Sequence, residues 1–202
     1  MPAARQSYDR VAIALHWAIA AAILILIYVG KWMTEALETH SAPQMVVFQA
    51  YQWHKSVGLS VLVLSLFRLY WRIEHKPPAL PGQMPGYERL AAHATHIGFY
   101  GLMIGLPLTG WAMVSTSPWG LPTIWFGLFE WPHLPILSTL EDKKPVEAAF
   151  KEAHELLGNL ALGLIVLHVL AALKHQFVNR DQVLARMVPW LGRFSGKDNV
   201  AP

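Results

Sequence analysis

Four stretches of the chain are apolar for long enough to cross a lipid bilayer, and most of the polar residues fall between them. The first, VAIALHWAIAAAILILIYV, runs from residue 11 to 29 without a charge, a length that crosses a hydrocarbon core of about 30 Å as a helix. The second, about 48–70, carries Lys55 near its start and Arg68 near its end, positions from which long side chains reach the interfaces. The third, about 90–114, contains Pro107, which a membrane helix tolerates as a kink because neighbouring helices satisfy the freed carbonyl. The fourth, about 146–173, is amphipathic at first and then wholly apolar. Between the last two, residues 115–145 are rich in Pro, Trp and Phe; too broken by proline for a helix through lipid, they read as an interfacial lid or short surface helix. A short surface helix followed by disordered residues is expected after Arg180. No convincing small-residue cleavage site follows the first apolar run, so it reads as a retained span. The predicted fold is all-α: a four-transmembrane-helix bundle forming a single membrane domain over residues 1–202, with no soluble domain.

Composition agrees with that pattern. Of 202 residues, 54% are hydrophobic and only 14% charged, against about 25% charged in soluble domains. Eleven of the sixteen Lys and Arg residues, from Arg5 and Arg10 through Arg68, Arg72, Lys76 and Arg89 to Lys174, Arg180, Arg186, Arg193 and Lys197, fall on one side of the four spans. The positive-inside rule makes that side cytoplasmic and puts both termini there. Lys31, Lys55, Lys143, Lys144 and Lys151 lie on the other side, diluted by acidic residues. The sequence pI of about 9.2 then reflects topology and anionic lipid, not nucleic acid. Cysteine is absent, which excludes disulfides, iron–sulfur clusters, thiolate-ligated haem and covalent C-x-x-C-H attachment. Histidine is left as the obvious metal ligand, and there are ten.

Four of the ten pair by depth. His16 lies early in the first span, near the cytoplasmic face, and His54 early in the second, near the outer face. The fourth span carries both His154 and His168, fourteen residues apart, which is about 21 Å along a helix and about 40° short of whole turns. They share one face at two depths, so His154 pairs with His54 outside and His168 with His16 inside. Imidazoles inside a membrane are costly and mark function, and pairs from facing helices build cofactor sites in bundle cores. Two bis-histidine sites for b-type haem iron follow. Each of the four is followed four residues later by a small residue, Ala20, Gly58, Gly158 and Ala172, leaving room for a flat macrocycle. The alternatives are packing histidines with small-residue helix contacts and a zinc or proton-relay site, though zinc favours a tetrahedral cluster at one depth.

His93 and His96, at the cytoplasmic start of the third span, and His175, seven residues beyond His168, are candidates for a quinone pocket, where a histidine can bond a carbonyl and deliver a proton; headgroup-solvated histidines are the alternative. Arg10, Arg68 and Arg72 at the inner depth, and Lys55 and Lys151 at the outer one, suit haem propionates or act as topology determinants. Trp17 and Trp53, each next to a ligand candidate, belong with the aromatic belt.

The stretches RVAIALHW, WHKSVGLSVLVLSLFRLYWR, AHATHIGFYGLMIGLPLTGW and AHELLGNLALGLIVLHVLAALKH, in this order, resemble the bacterial cytochrome b561 family of small di-haem, four-helix cytochromes of the inner membrane over nearly the whole chain. The resemblance implies two haem b with His16, His54, His154 and His168 as axial ligands, and a ubiquinone site at the cytoplasmic end near His175 and His96. One activity of that family is superoxide oxidation at the outer face with reduction of ubiquinone. Lysines around the outer edge, Lys55, Lys143, Lys144 and Lys151, would steer a small anion inward, whereas the acidic residues of the 115–145 segment would oppose it. The rival expectation is a haem-bearing anchor and electron conduit for a partner redox protein, as in cytochrome b subunits of hydrogenases and formate dehydrogenases; the short tails, without a docking domain, lean against it.

Overall fold

The structure, a computed structural model, describes residues 7–181 and 183–192. Arg5, Arg193, Lys197 and the expected disordered tail lie outside the described residues. Four helices are long and apolar enough to cross a membrane: α1 (Arg10–Thr39), α2 (Gln44–Glu74), α3 (Gly86–Ser115) and α5 (Lys144–Lys174), the last continued by a π-helical turn, His175–Asn179. The protein is therefore a multi-pass helical membrane bundle. Its helices outrun the apolar stretches that announced them, most of all α1, which continues ten residues past Val29. At about 1.5 Å per residue, 30 residues reach about 45 Å, so these helices carry their amphipathic ends through the headgroup layer.

Neighbours in the bundle follow chain order. α1 lies along α2, α2 along α3, and α3 along α5, whereas α5 stands off from α1 and α2. Ile19, Val61 and Met103 form the inner packing point of α1, α2 and α3, and Met33, Ala36 and Val47 fasten the outer ends of α1 and α2. Pro107 is buried inside α3.

The 115–145 segment, expected as an interfacial lid or short surface helix, holds a two-stranded hairpin as well as a helical turn. Thr123–Trp125 (β1) pairs antiparallel with Phe129–Trp131 (β2), and a single helical turn, Pro135–Ser138 (α4), follows. Phe126 and Gly127 turn the hairpin with φ of 47° and 75°, the positive pair that a tight hairpin turn demands. Glycine takes that conformation freely; phenylalanine does not, and its placement is held by partners on α2. The Phe126 N–H donates to Ser56 Oγ (3.1 Å), and its ring packs edge-on against Trp53 and Trp125. The Gln52 amide pairs with β1 as a neighbouring strand would, donating to the Pro122 carbonyl (3.0 Å) and accepting from the Ile124 N–H (3.2 Å). The hairpin is thereby stapled over the outer end of α2.

At the inner end, Asp9 caps α1 by accepting from the Ala12 N–H (2.9 Å) and also takes the Trp71 indole N–H (3.1 Å) from the end of α2. The segment after α5, with a 3₁₀ turn at Leu184–Arg186 and a short helix α6 at Pro189–Gly192, folds back under the bundle: the Arg186 guanidinium reaches the Ala79 carbonyl and the Trp17 indole reaches that of Met187. Burial raises the Asp9 carboxyl, but its hydrogen bonds outweigh that and hold it below its ordinary value of 3.8. Its contribution is therefore present above the ordinary carboxylate range and lost as pH falls through the lowered value. Asp9→Ala is expected to cost about 1 kcal/mol of stability near neutral pH. The gap to wild type should narrow as pH falls below the ordinary carboxylate range, read as thermal unfolding midpoints of the two proteins in detergent.

Candidate functional site

The standoff of α5 from α1 and α2 is bridged by two pairs of half-buried histidines. At the inner end His16 of α1 faces His168 of α5 with ring centres 6.3 Å apart; at the outer end His54 of α2 faces His154 of α5 at 6.2 Å. A metal–imidazole bond of about 2 Å on each side, plus roughly 1 Å from nitrogen to ring centre, puts two axial imidazoles about 6 Å apart. Both separations match that span. The helix contacts agree: a Cβ built on Gly58 or Gly158, one turn from His54 and His154, meets nothing within 4 Å, so the faces below these rings are open.

How the rings are held distinguishes the four. His154 Nδ1 lies 3.0 Å from the Leu106 carbonyl and 3.1 Å from Thr109 Oγ1, next to Pro107 in α3. A carbonyl only accepts, so Nδ1 carries the proton and Nε2 keeps its lone pair, the tautomer and orientation a metal ligand needs. His54 presents a buried Nδ1 without a hydrogen-bond partner among the described residues. At both outer rings the opposing helix has glycine: a Cβ on Gly30 or Gly110 would come within 3.1 Å of Cε1 of His54 or His154.

His16 is different. Its Nδ1 is 3.2 Å from Arg68 Nη2, and a guanidinium only donates, so here Nδ1 is the acceptor and Nε2 carries the proton. That arrangement and coordination through Nε2 are mutually exclusive; Arg68 must change partner for the ring to bind a metal. Arg68 lines a small open cleft at the inner end with Arg72, His75, Trp71 and Tyr100, a place with cationic walls for an anionic group. Arg72 itself sits over the Tyr100 ring at 5.8 Å. Arg10 is exposed at the first residue of α1.

The remaining candidates separate. His96 does not meet His175; it faces His168 at 6.2 Å, so His168 has two histidines at equal reach, with Phe99 edge-on at 5.3 Å. His175 sits between two carboxylates, Asp181 and Glu88, and His93 is exposed on α3. Lys55 turns one of its three donors to the Pro122 carbonyl at 3.0 Å. Leu106, Thr109, Gly30, Gly110 and Asp181 escaped the sequence reading. The glycines are spaced like helix-contact residues anywhere in a membrane, and a backbone carbonyl leaves no mark in the sequence at all.

A family model and three relatives match the chain over most of its length. The family model described as prokaryotic cytochrome b561 matches residues 7–190. Cytochrome b561 homolog 2 of Escherichia coli (strain K12) is 31% identical over 191 residues, covering 91% of this chain and 92% of that protein. The protein of Yersinia pestis named probable superoxide oxidase CybB is 31% identical over 185 residues, 91% of this chain and 97% of its own length. Cytochrome b562 of Cereibacter sphaeroides is 30% identical over 181 residues, 90% and 94% of the two chains. With a helical membrane bundle, histidines facing across its interior and a match over nearly the whole length, the chain belongs to the prokaryotic cytochrome b561 family.

Proposed function

We propose that this protein is a di-haem oxidoreductase that passes electrons from a small one-electron donor at the outer face, superoxide, to ubiquinone at the inner face, with both termini cytoplasmic. The family is one of membrane proteins that bind b-type haem and transfer electrons; two haems, their ligands and the two substrates are our reading. The observation that carries it is the pair of histidine–histidine spans, 6.3 and 6.2 Å, across the interval that α5 leaves against α1 and α2. When bound, haem accepts and releases single electrons, which lets a one-electron donor serve a two-electron acceptor.

The chain's own residues do the rest. His54 and His154 hold the outer group, and His16 and His168 the inner one. The Leu106 carbonyl and Thr109 fix the His154 ring, so its ligand nitrogen needs no reorganisation. Holding the inner group through His16 Nε2 would require Arg68 to leave Nδ1, and a carboxylate is the partner for which its guanidinium is suited. The hairpin, fastened to α2 through Gln52, Ser56 and Lys55, shields the outer end from water. Lys143, Lys144 and Lys151, at the start of α5, draw a small anion towards that end. His96 and His175 are the candidates at the quinone end.

The reaction requires two superoxide anions, one ubiquinone and two protons to give two dioxygen and one ubiquinol. Purified protein in lipid, supplied with a superoxide generator and ubiquinone, is expected to form ubiquinol in that ratio without another protein. Formation only after a co-purifying redox partner is returned would replace this reading with that of an electron-conduit subunit.

A further inference from the structure

The cleft at the inner end of the bundle carries more positive charge than its own walls balance. It lies where four parts of the chain meet: the residues that open α1, the last turns of α2, α3 at Tyr100 and the returning C-terminal segment at Met187. Arg68, Arg72 and Lys76 recur at four-residue spacing, which keeps them in one row along the end of α2 and just past it. Asp9 is the only carboxylate in the wall among the described residues, and it is engaged, accepting the Ala12 N–H and the Trp71 indole N–H. Glu74, the other acid at this end of α2, is exposed and does not line the cleft. Among the described residues no ion pair joins Arg68, Arg72 or Lys76 to a carboxylate. Three cations against one anion leave two positive charges over.

The three cations sit at different depths and have different tasks. Arg68, at the floor, points Nη2 to His16 Nδ1 at 3.2 Å. Arg72 is one turn, about 6 Å, nearer the end of the helix. Its guanidinium lies over the Tyr100 ring, 5.8 Å from the centre, a contact with a ring face that occupies none of its five N–H donors. Lys76 is exposed past the helix end, and the phenols of Tyr8 and Tyr100 add two hydroxyls to the lining. The wall continues into apolar surface. Trp71 stacks on His75 at 4.0 Å on the cleft side, and Phe67, one turn deeper towards the lipid, packs on Trp71 at 5.9 Å while remaining 44% exposed. A cationic recess at headgroup depth thus opens directly onto an aromatic surface at chain depth.

We propose that this cleft is a site for one anionic phospholipid, its phosphate held by Arg72 and Lys76 and an acyl chain laid along Phe67, with Arg68 left to the inner histidine pair. Basic recesses between membrane helices take anionic headgroups, and bonds from guanidinium and ammonium groups to phosphate oxygens are charge-assisted. A zwitterionic headgroup carries its own cation into the recess and meets like charge there. Inorganic phosphate satisfies the cations but leaves Phe67 uncovered. A lipid seated in this way touches α1, α2, α3 and the C-terminal segment together, so it fastens the inner end of the bundle. The site does not depend on which molecules give and take the electrons.

The test titrates the haem-loaded protein in detergent with dioleoylphosphatidylglycerol or dioleoylphosphatidylcholine and counts bound lipid by native mass spectrometry. Wild type is expected to retain one phosphatidylglycerol under activation that strips phosphatidylcholine. Arg72→Gln and Lys76→Gln are each expected to weaken that binding about fivefold, the share of one basic residue at an anionic headgroup. Arg180→Gln, exposed at the same end but outside the cleft, is expected to change it by less than about twofold. Lys76 lies beyond the helix, so its substitution reads charge without disturbing the packing that Arg72 shares with Tyr100. Haem per chain should stay at the wild-type value in all three variants. Equal retention of the two lipids, or an Arg180→Gln effect as large as that of Lys76→Gln, would overturn the site. Displacement of phosphatidylglycerol by millimolar inorganic phosphate, but not by chloride at the same ionic strength, would make it a free-phosphate site instead. Haem loss in Arg72→Gln and Lys76→Gln with lipid binding unchanged would give the cleft to the haem carboxylates and overturn it equally.

Discussion

His54→Ala and His154→Ala are each expected to leave the purified protein with about one b-type haem per chain against the two proposed for wild type, and so are His16→Ala and His168→Ala at the inner end. Each pair spans a helix interval with one ring from either side, at 6.2 and 6.3 Å, so removing one ring would leave the proposed site a single histidine, and among the described residues no other histidine ring lies against the outer pair to replace it. The bundle itself should survive. α5 packs on α3, away from the outer pair's other helix, and the clusters around Val61 and Met33 contain none of the four. Helix content by circular dichroism is the control, and haem per chain by pyridine haemochrome the measurement. The inner site carries a sharper test, because His96 stands as close to His168 as His16 does. If His16 is the ligand, His96→Ala keeps two haems and His16→Ala loses one. The reverse outcome would move the inner ligand from α1 to α3, and unchanged content in every variant would remove haem from these rings altogether.

Why the histidine pattern was legible follows from the membrane. In lipid an imidazole is expensive wherever it has no task, so depth and face alone single out the four histidines that the structure sets as two facing pairs, though not His96, which also faces His168; in a soluble protein the same residues would have disappeared into an ordinary surface. The four spans were legible for the same reason, although their ends were not: hydropathy marks where lipid stops, while a helix continues as long as its backbone hydrogen bonds are made, as α1 does from Gly30 to Thr39. The hairpin was hidden because its turn residue is Phe126, not the Asn or Asp that usually precedes glycine there. Its stability lies in partners some 70 positions away, Gln52 and Ser56. The shell around the rings was hidden more thoroughly. Arg68 was visible as an inner cation, but not as the donor on His16 Nδ1. His96 and His175 lie on different helices, and no periodicity within a helix says that one turns to His168 and the other to Asp181 and Glu88.

Gly110→Val is expected to weaken the outer haem site by about 5- to 150-fold in affinity, as overpacking of about 1–3 kcal/mol implies, and Gly30→Val to do the same from the other side. The two glycines face opposite rings of one pair: a Cβ on Gly110 would lie 3.1 Å from His154 Cε1 and 3.4 Å from Nδ1, and a Cβ on Gly30 would lie 3.1 Å from His54 Cε1. Contacts so short are relieved only if the ring gives way by a few tenths of an ångström. His154 has little freedom to do so, since its Nδ1–H is held by the Leu106 carbonyl and its other nitrogen is the proposed ligand. Alanine is the less decisive substitution, because leaving glycine gains about 1 kcal/mol of helix propensity and masks part of the clash. Valine adds two methyl groups to the same place and gains less. Gly101→Val supplies the comparison: Gly101 lies nine residues earlier on α3, about half a turn round to the opposite side, exposed and with nothing within 4 Å of a Cβ. Haem retention under competition with apomyoglobin separates the cases. Loss confined to Gly110→Val and Gly30→Val assigns the effect to the rings; equal loss in Gly101→Val would assign it to the helix and leave these two glycines as ordinary packing residues.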